Sequence, residues 1–262
     1  MAILHKELTK GFKGLILWTA GVSLMLVVCI FLYPEMKNQM SGMNEVFSNM
    51  GSFTKAFGMD QLNFGTLIGF YGVECGNMMG IGGGLFAAYL GISMLAKEEK
   101  EHTAEFLLSH PVKRESVVAQ KLLALFIQIV FLNVAAFLLG LISILCIGEK
   151  LPLSEFSLLH LSYFLVQIEI GGICFGISAF LKKGSMGIGL GLAAVLYFLS
   201  LIQNLSKEAE LLKYITPYAY AQAADIVSNL KIDIVLVVLG MSYMLILVGF
   251  GFRYYVKKDI AA

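Results

Sequence analysis

GLILWTAGVSLMLVVCIFLY, residues 14–33, is a run of twenty residues without a charge. A helix needs about 20 predominantly apolar residues, each rising about 1.5 Å, to cross the roughly 30 Å hydrocarbon core of a bilayer. Gly14 to Tyr33 meets that length. Lys6, Lys10 and Lys13 precede it, as basic residues precede the core of a secretion signal. The run is too long for such a core, however, and no small-x-small cleavage pattern follows, so it reads as a retained first span.

Working outward, the same reading recurs at Gly72–Leu95, Leu122–Ile147, Leu158–Leu181, Met186–Leu205 and Ile232–Phe252. The 262 residues are 58% hydrophobic and only 14% charged. A soluble chain carries about 25% charged residues, so the deficit belongs to these six stretches. Backbone in hydrocarbon must satisfy its own hydrogen bonds, and runs of this length do so as helices rather than barrel strands. The sequence therefore predicts an all-α integral membrane protein, a single transmembrane domain of about six helices over residues 1–262. An even number of spans places both termini on one side. Of the 19 lysines and arginines, thirteen fall on that side and six on the other, which predicts cytoplasmic termini. A net charge of +1 gives nucleic acid no footing as a partner. Cys29, Cys75, Cys146 and Cys174 lie in apolar stretches without paired spacing and read as small hydrophobes.

Three segments outside the spans have a pattern of their own. Ile3, Leu4, Leu8, Phe12 and Leu15 recur at helical spacing, with Lys6, Glu7, Lys10 and Lys13 on the other face. This predicts a short N-terminal helix lying in the inner membrane interface. Over residues 35–58, Met36, Met40, Met43, Phe47 and Met50 form a one-sided stripe that Gly51 and Ser52 interrupt, predicting an outer amphipathic helix. Between the fifth and sixth spans, Leu211, Leu212 and Ile215 predict a helical turn or two before Pro217, and Tyr214, Tyr218 and Tyr220 suit a water–membrane boundary.

Within the spans, Gly72, Gly76, Gly80, Gly84 and Ala88 follow one another at four-residue steps and leave one helical face nearly bare. In lipid such a face lets helices approach closely. Gly172 with Gly176, and Gly187 with Gly191, repeat the step more briefly. The extra glycines Gly82 and Gly83 are not followed by Lys-Ser/Thr, and no strand precedes them, so this is no phosphate loop. Two acids lie at membrane depth, Glu169 in the fourth span and Glu74 near the outer end of the second. A carboxylate there is a functional candidate by default. Asn77 and Asn133, with Gln128 and Gln167, are polar groups that either share a translocation path with these acids or bond across helices. No His-Glu-x-x-His zinc motif occurs. The Glu98-Glu99 pair is similar to the start of intramembrane prenyl-type proteases, but their arginine and later histidine pair are missing. The chain reads as no enzyme.

The most highly charged connector between spans is KEEKEHTAEFLLSHPVKRESVVAQKLL, Lys97 to Leu123. Its first half is acidic and helical in pattern, with Phe106, Leu107 and Leu108 as apolar knobs. Pro111 breaks it, and Lys113-Arg114 precede a helix that enters the third span. A charged helix with a few apolar knobs suits a cleft on a soluble partner, though a solvated connector has the same composition.

Here the sequence resembles the integral-membrane subunits of type-2 ABC exporters, the bacterial drug- and peptide-efflux permease families. Glu101, Thr103, Glu105, Phe106, Leu107, Leu108, Ser109, Pro111, Val112, Lys113, Arg114, Lys121, Leu122 and Leu123 carry the likeness, with His102 where the family usually has glycine. Lys13 to Trp18, Thr216-Pro217-Tyr218, and Phe252-Arg253 through Lys257-Lys258-Asp259-Ile260 are weaker matches in the same order. The resemblance implies a multi-pass exporter of the bacterial plasma membrane, of a kind that includes efflux and antibiotic-resistance permeases, without identifying the substrate, because members export drugs, peptides, lipids and ions. It also implies a separate ABC ATPase subunit that holds the ATP and Mg, with no cofactor on this chain. Coupling would run through segment 97–115, with Glu101, Thr103, Glu105, Phe106, Leu107, Leu108, Pro111 and Arg114 at its centre. A second permease protomer, identical or homologous, would complete the path. The alternatives left open are an ion- or proton-coupled carrier built on Glu169, and a membrane-embedded enzyme or scaffold.

Overall fold

A computed structural model describes residues 2–39, 51–59, 61–100, 113–181 and 185–258, and within them the chain is helical, without strands. The helices are α1 (Ala2–Gln39), α2 (Ser52–Ala56), α3 (Leu67–Asn77), α4 (Gly83–Ser93), α5 (Lys97–Lys100), α6 (Arg114–Cys146), α7 (Leu153–Ser178), α8 (Met186–Gln203), α9 (Ala223–Asn229) and α10 (Ile234–Lys257). A π turn, Met78–Gly82, joins α3 to α4 in one continuous span, and two 3₁₀ turns, Lys207–Tyr214 and Pro217–Ala221, lie between α8 and α9. Six of these helices or helix pairs are long and apolar enough to cross a membrane.

α7 is the centre of the bundle. It packs against α4, α6 and α10, while α1 lies along α6 and α8 along α4. α10 keeps one thin buried line, Leu236, Gly240, Met244, Gly251 and Tyr255. Its other faces expose Ile234, Val238, Leu245 and Phe250. A soluble protein does not leave such a belt of large apolar side chains open; in a bilayer it is the lipid-facing surface.

The N-terminal segment departs from its expected place in the interface plane. α1 is one unbroken helix of 38 residues, because its first turns are held along α6 rather than on the membrane surface. The Leu4 backbone N–H donates to Gln120 Oε1 at 3.2 Å. Glu7, from the face read as polar, is 3% exposed, and Phe12, from the face read as apolar, is 56% exposed. The methionine stripe is only partly described: α1 runs through Pro34 to Gln39, and residues 40–50 lie outside the described residues. The tyrosines between the fifth and sixth spans divide. Tyr214 is exposed, but Tyr218 and Tyr220 are buried in the bundle. A water–membrane boundary is therefore the wrong place for those two.

Close helix approach is concentrated where α7 crosses α10. A Cβ added to Gly176 would stand 2.5 Å from the Leu247 carbonyl oxygen, and one added to Gly251 would stand 2.5 Å from the Gly176 carbonyl oxygen. On α8 it is Gly189, facing Ile92 and the Ala88 carbonyl, that makes the approach; Gly191 meets nothing within 4 Å and Gly187 only the Ser185 side chain. Backbone cannot yield as a side chain can, so Gly176→Ala is expected to cost about 1–3 kcal/mol. Gly191→Ala is expected to leave stability unchanged. Thermal unfolding in detergent compares the two variants, and equal melting temperatures would refute this packing.

Candidate functional site

The second span carries the polar centre of the bundle. At Met78–Gly82 its hydrogen-bond ladder widens into a π turn, a local feature often found at functional sites. Gly80 and Gly82 offer no side chain to resist the change. Two carbonyls of the turn accept bonds from other elements: Met79 from Gln167 Nε2 at 3.3 Å, and Gly80 from the Tyr218 hydroxyl at 3.1 Å. One residue before the turn, Asn77 Oδ1 accepts the Tyr197 hydroxyl at 2.8 Å. Gln167 is in turn bonded to Asn133 Nδ2 at 2.6 Å, across the α6–α7 contact.

The bare face of this span receives rings. Gly76 lies under the Tyr163 hydroxyl, Gly80 under the Tyr218 ring, Gly84 under the Tyr218 hydroxyl, and Gly72 against Ala223. Within the chain the face therefore accommodates tyrosines rather than a second backbone. Backbone-close contact on this span comes further along, where Gly91 meets the Gly171 carbonyl and the Ala88 carbonyl faces Gly189 of α8. Beside the π turn is a small cavity of about 70 Å³, lined by Asn77, Tyr163, Tyr197, Ser200, Asn204 and Tyr218 among others. It has room for a few waters and several polar groups to hold them.

The structure separates the four path candidates. Asn77 and Asn133 reach the polar layer around the π turn, whereas Glu169 faces another way. Its Oε2 accepts the Tyr220 hydroxyl at 3.0 Å, and its carboxyl lies on Gly240 of α10, where an added Cβ would be 2.6 Å from Cδ. Gln167 and Glu169, two residues apart on α7, necessarily point to different sides. Glu74 is half-buried on α3.

A second cluster, at the end of the bundle that holds both termini, combines residues that the sequence presents only as scattered charges. Lys121 of α6 is fully buried. Its Nζ meets Glu98 at 2.5 Å, Glu7 at 3.3 Å and the Met94 carbonyl at 2.6 Å. Lys97 pairs with Glu7 as well. Glu99 pairs with Lys258 at 2.7 Å, and Lys258 also donates to the Ala179 and Leu181 carbonyls. Arg114 donates to the Lys258 and Val256 carbonyls at 2.6 and 3.3 Å, closing the end of α10. These charges flank the connector on both sides. Glu101, Thr103, Glu105, Phe106, Leu107, Leu108 and Pro111 themselves lie outside the described residues, so of the coupling candidates Arg114 alone is placed, as an anchor to α10.

The family described as ABC-2 family transporter protein matches residues 1–260 of the chain. No curated protein matches it.

The clusters predict different mutational behaviour. Lys121→Met leaves buried carboxylates short of their cation and is expected to cost about 3–5 kcal/mol. Adding Glu98→Gln removes one of those carboxylates, so the double variant is expected to melt higher than Lys121→Met alone; strictly additive losses would argue against a shared ion cluster. At the other site, Tyr220→Phe takes from Glu169 its one hydrogen bond among the described residues, at an expected cost of about 1–3 kcal/mol, while Glu169→Gln keeps an acceptor for Tyr220 and is expected to unfold nearly as the wild type does. Transport by Glu169→Gln that is normal at every pH would assign the carboxyl to holding the Pro217–Ala221 turn, with no part in translocation.

Proposed function

This chain belongs to the ABC-2 family of transporter proteins, and from that premise we propose that it is the permease subunit of an ATP-driven exporter. As a multi-pass membrane subunit of an ABC transporter in a bacterial cell membrane, it works with ATP and Mg held by a separate ATPase. That ATPase docks on the connector centred on residues 101–114, and a second permease protomer completes the translocation path. Efflux of drugs, antibiotics included, or of peptides is the activity this arrangement serves.

The observation that carries the reading is the anchoring of the connector at both ends. On one side Lys97, Glu98 and Glu99 are tied to Glu7 of α1, Lys121 of α6 and Lys258 behind α10. On the other, Arg114 is tied to the last carbonyls of α10. A push on a free loop would be lost in its own bending. A push on this one is delivered to three membrane helices at once, because a buried ion cluster resists being pulled apart. The substrate path in this reading follows the π turn and its cavity at Asn77, where the span is already irregular and polar.

Leu107 and Leu108 are the apolar knobs that a cleft on the ATPase would take. Changing both to Asp is expected to abolish co-purification of the ATPase and ATP-dependent transport while the chain still inserts and folds in the membrane. ATPase recovered at the wild-type level with the double variant would overturn the docking assignment.

A further inference from the structure

The first and second spans meet through sulfur. The Cys29 thiol of α1 donates to the Met78 thioether at 3.8 Å, and both residues are partly exposed. Met78 opens the π turn. Its neighbours are bonded elsewhere in the bundle, Asn77 to the Tyr197 hydroxyl and the Met79 carbonyl to Gln167. The sulfur that meets α1 is therefore carried on a stretch held from both sides. Glu74 precedes Met78 by one turn and shares its face of the second span. It lies within electrostatic reach of the Cys29 thiol and has no hydrogen bond or ion pair among the described residues. Glu74 is partly exposed, and neither of its oxygens is a buried unpaired atom, so a cation can reach it. A carboxylate inside a span is a functional candidate by default.

A thiol, a thioether and an unpaired carboxylate together favour a soft cation. Soft sulfur ligands select Cu(I), whereas carboxylate, carbonyl and water suit magnesium, calcium or manganese. Zinc takes four donors as a rule, and among the described residues no three His, Cys, Asp or Glu side chains gather where they could hold a metal. A soft monovalent ion needs only two or three ligands. Two metal–sulfur bonds of about 2.3 Å span the observed 3.8 Å at an angle of roughly 110°, so the sulfurs need not move to share one ion. Further sulfurs flank the pair on the same side of α1, Met25 four residues before Cys29 and Met36 seven after it.

We propose that Cys29 and Met78 form a binding site for one soft monovalent metal ion, Cu(I) or Ag(I), with Glu74 supplying the charge that draws it in. As the metal–sulfur bond to Cys29 forms, the thiol S–H bond breaks and its proton leaves to water. Met78 contributes a sulfur lone pair, and no electron is transferred. The occupied site keeps the single negative charge of Glu74 and ties the first span to the π turn of the second. Paired cysteine spacing is absent from the sequence because the second sulfur belongs to a methionine on another span. The assignment stands on this sulfur geometry and does not depend on the exporter reading.

The test titrates the purified, reduced full chain in detergent, without oxygen, against Cu(I) held by a coloured chelator of known affinity. One Cu(I) per chain is expected to pass from chelator to protein and to show sulfur neighbours in its X-ray absorption spectrum, while Zn(II) is not retained. Cys29→Ser is expected to weaken Cu(I) binding about a hundredfold, and Met78→Leu and Glu74→Gln about tenfold each. Cys146→Ser removes an exposed thiol and is expected to bind as wild type. Melting without metal checks that each variant folds; should Cys29→Ser melt low, Met78→Leu decides, since it conserves volume and is expected to take one sulfur from the spectrum. No uptake by the wild type would overturn the proposal, as would Zn(II) held as tightly as Cu(I). So would wild-type affinity in Cys29→Ser, Met78→Leu or Glu74→Gln. Loss of binding in Cys146→Ser would also overturn it, by showing an adventitious ion only, on a surface thiol.

Discussion

Hydrocarbon offers a peptide group no hydrogen-bond partner, and the rest of this structure follows from that denial. It makes the six spans helical, and it also decides how the exceptions are built. The π turn at Met78–Gly82 disturbs the ladder of the second span, and Gln167 and Tyr218 donate to its Met79 and Gly80 carbonyls. The Pro217–Ala221 turn is irregular backbone within the bundle, and it is buried in protein rather than lipid. Thr216, which caps that turn, donates its hydroxyl to the Leu196 carbonyl of α8 at 2.7 Å. The π turn is thus matched by polar side chains from other elements, and the Pro217–Ala221 turn is tied to α8 by its own cap.

The same economy of partners separates the two clusters by the kind of bond that holds them. Around the π turn the contacts are neutral hydrogen bonds, each of modest net strength, and an arrangement of this kind can rearrange without exposing a charge. At the end of the bundle with the termini the contacts are ion pairs, and pulling one apart strands a buried charge. In the proposed exporter that division would give stiff linkage on the side where the ATPase docks and softer bonding around the π turn.

The six spans were legible because runs of about twenty predominantly apolar residues admit few other fates. The bond between Asn133 and Gln167 was legible as one of two readings of polar residues at depth. What escaped the sequence did so for physical reasons. Tyrosines at a membrane boundary and tyrosines in a buried turn have the same apolar body and polar tip, so Tyr218 and Tyr220 gave no sign of which they were. Glu7 lay on the charged face of an amphipathic pattern, and helical spacing reveals a face but not the neighbour that will cover it. The four-residue step singled out Gly187 and Gly191, whereas the contact falls on Gly189, because a step defines a stripe and only packing chooses the stripe. A π turn has no residue signature that these glycines do not share with an ordinary helix.

The pairing of Glu7 with Lys121 has a consequence for how the protein is made. Glu7 leaves the ribosome more than a hundred residues ahead of Lys121, and domains are built from the N-terminal end as synthesis proceeds. Lys97 follows the second span, but until the third span arrives the acid at the start of the first helix lacks Lys121, the cation that is buried beside it. The first helix therefore enters the bilayer early but cannot settle along α6 until the middle of the chain has been translated, when two lysines draw its carboxylate inward. Translation order thus makes the first helix wait for the third span before it reaches its final position.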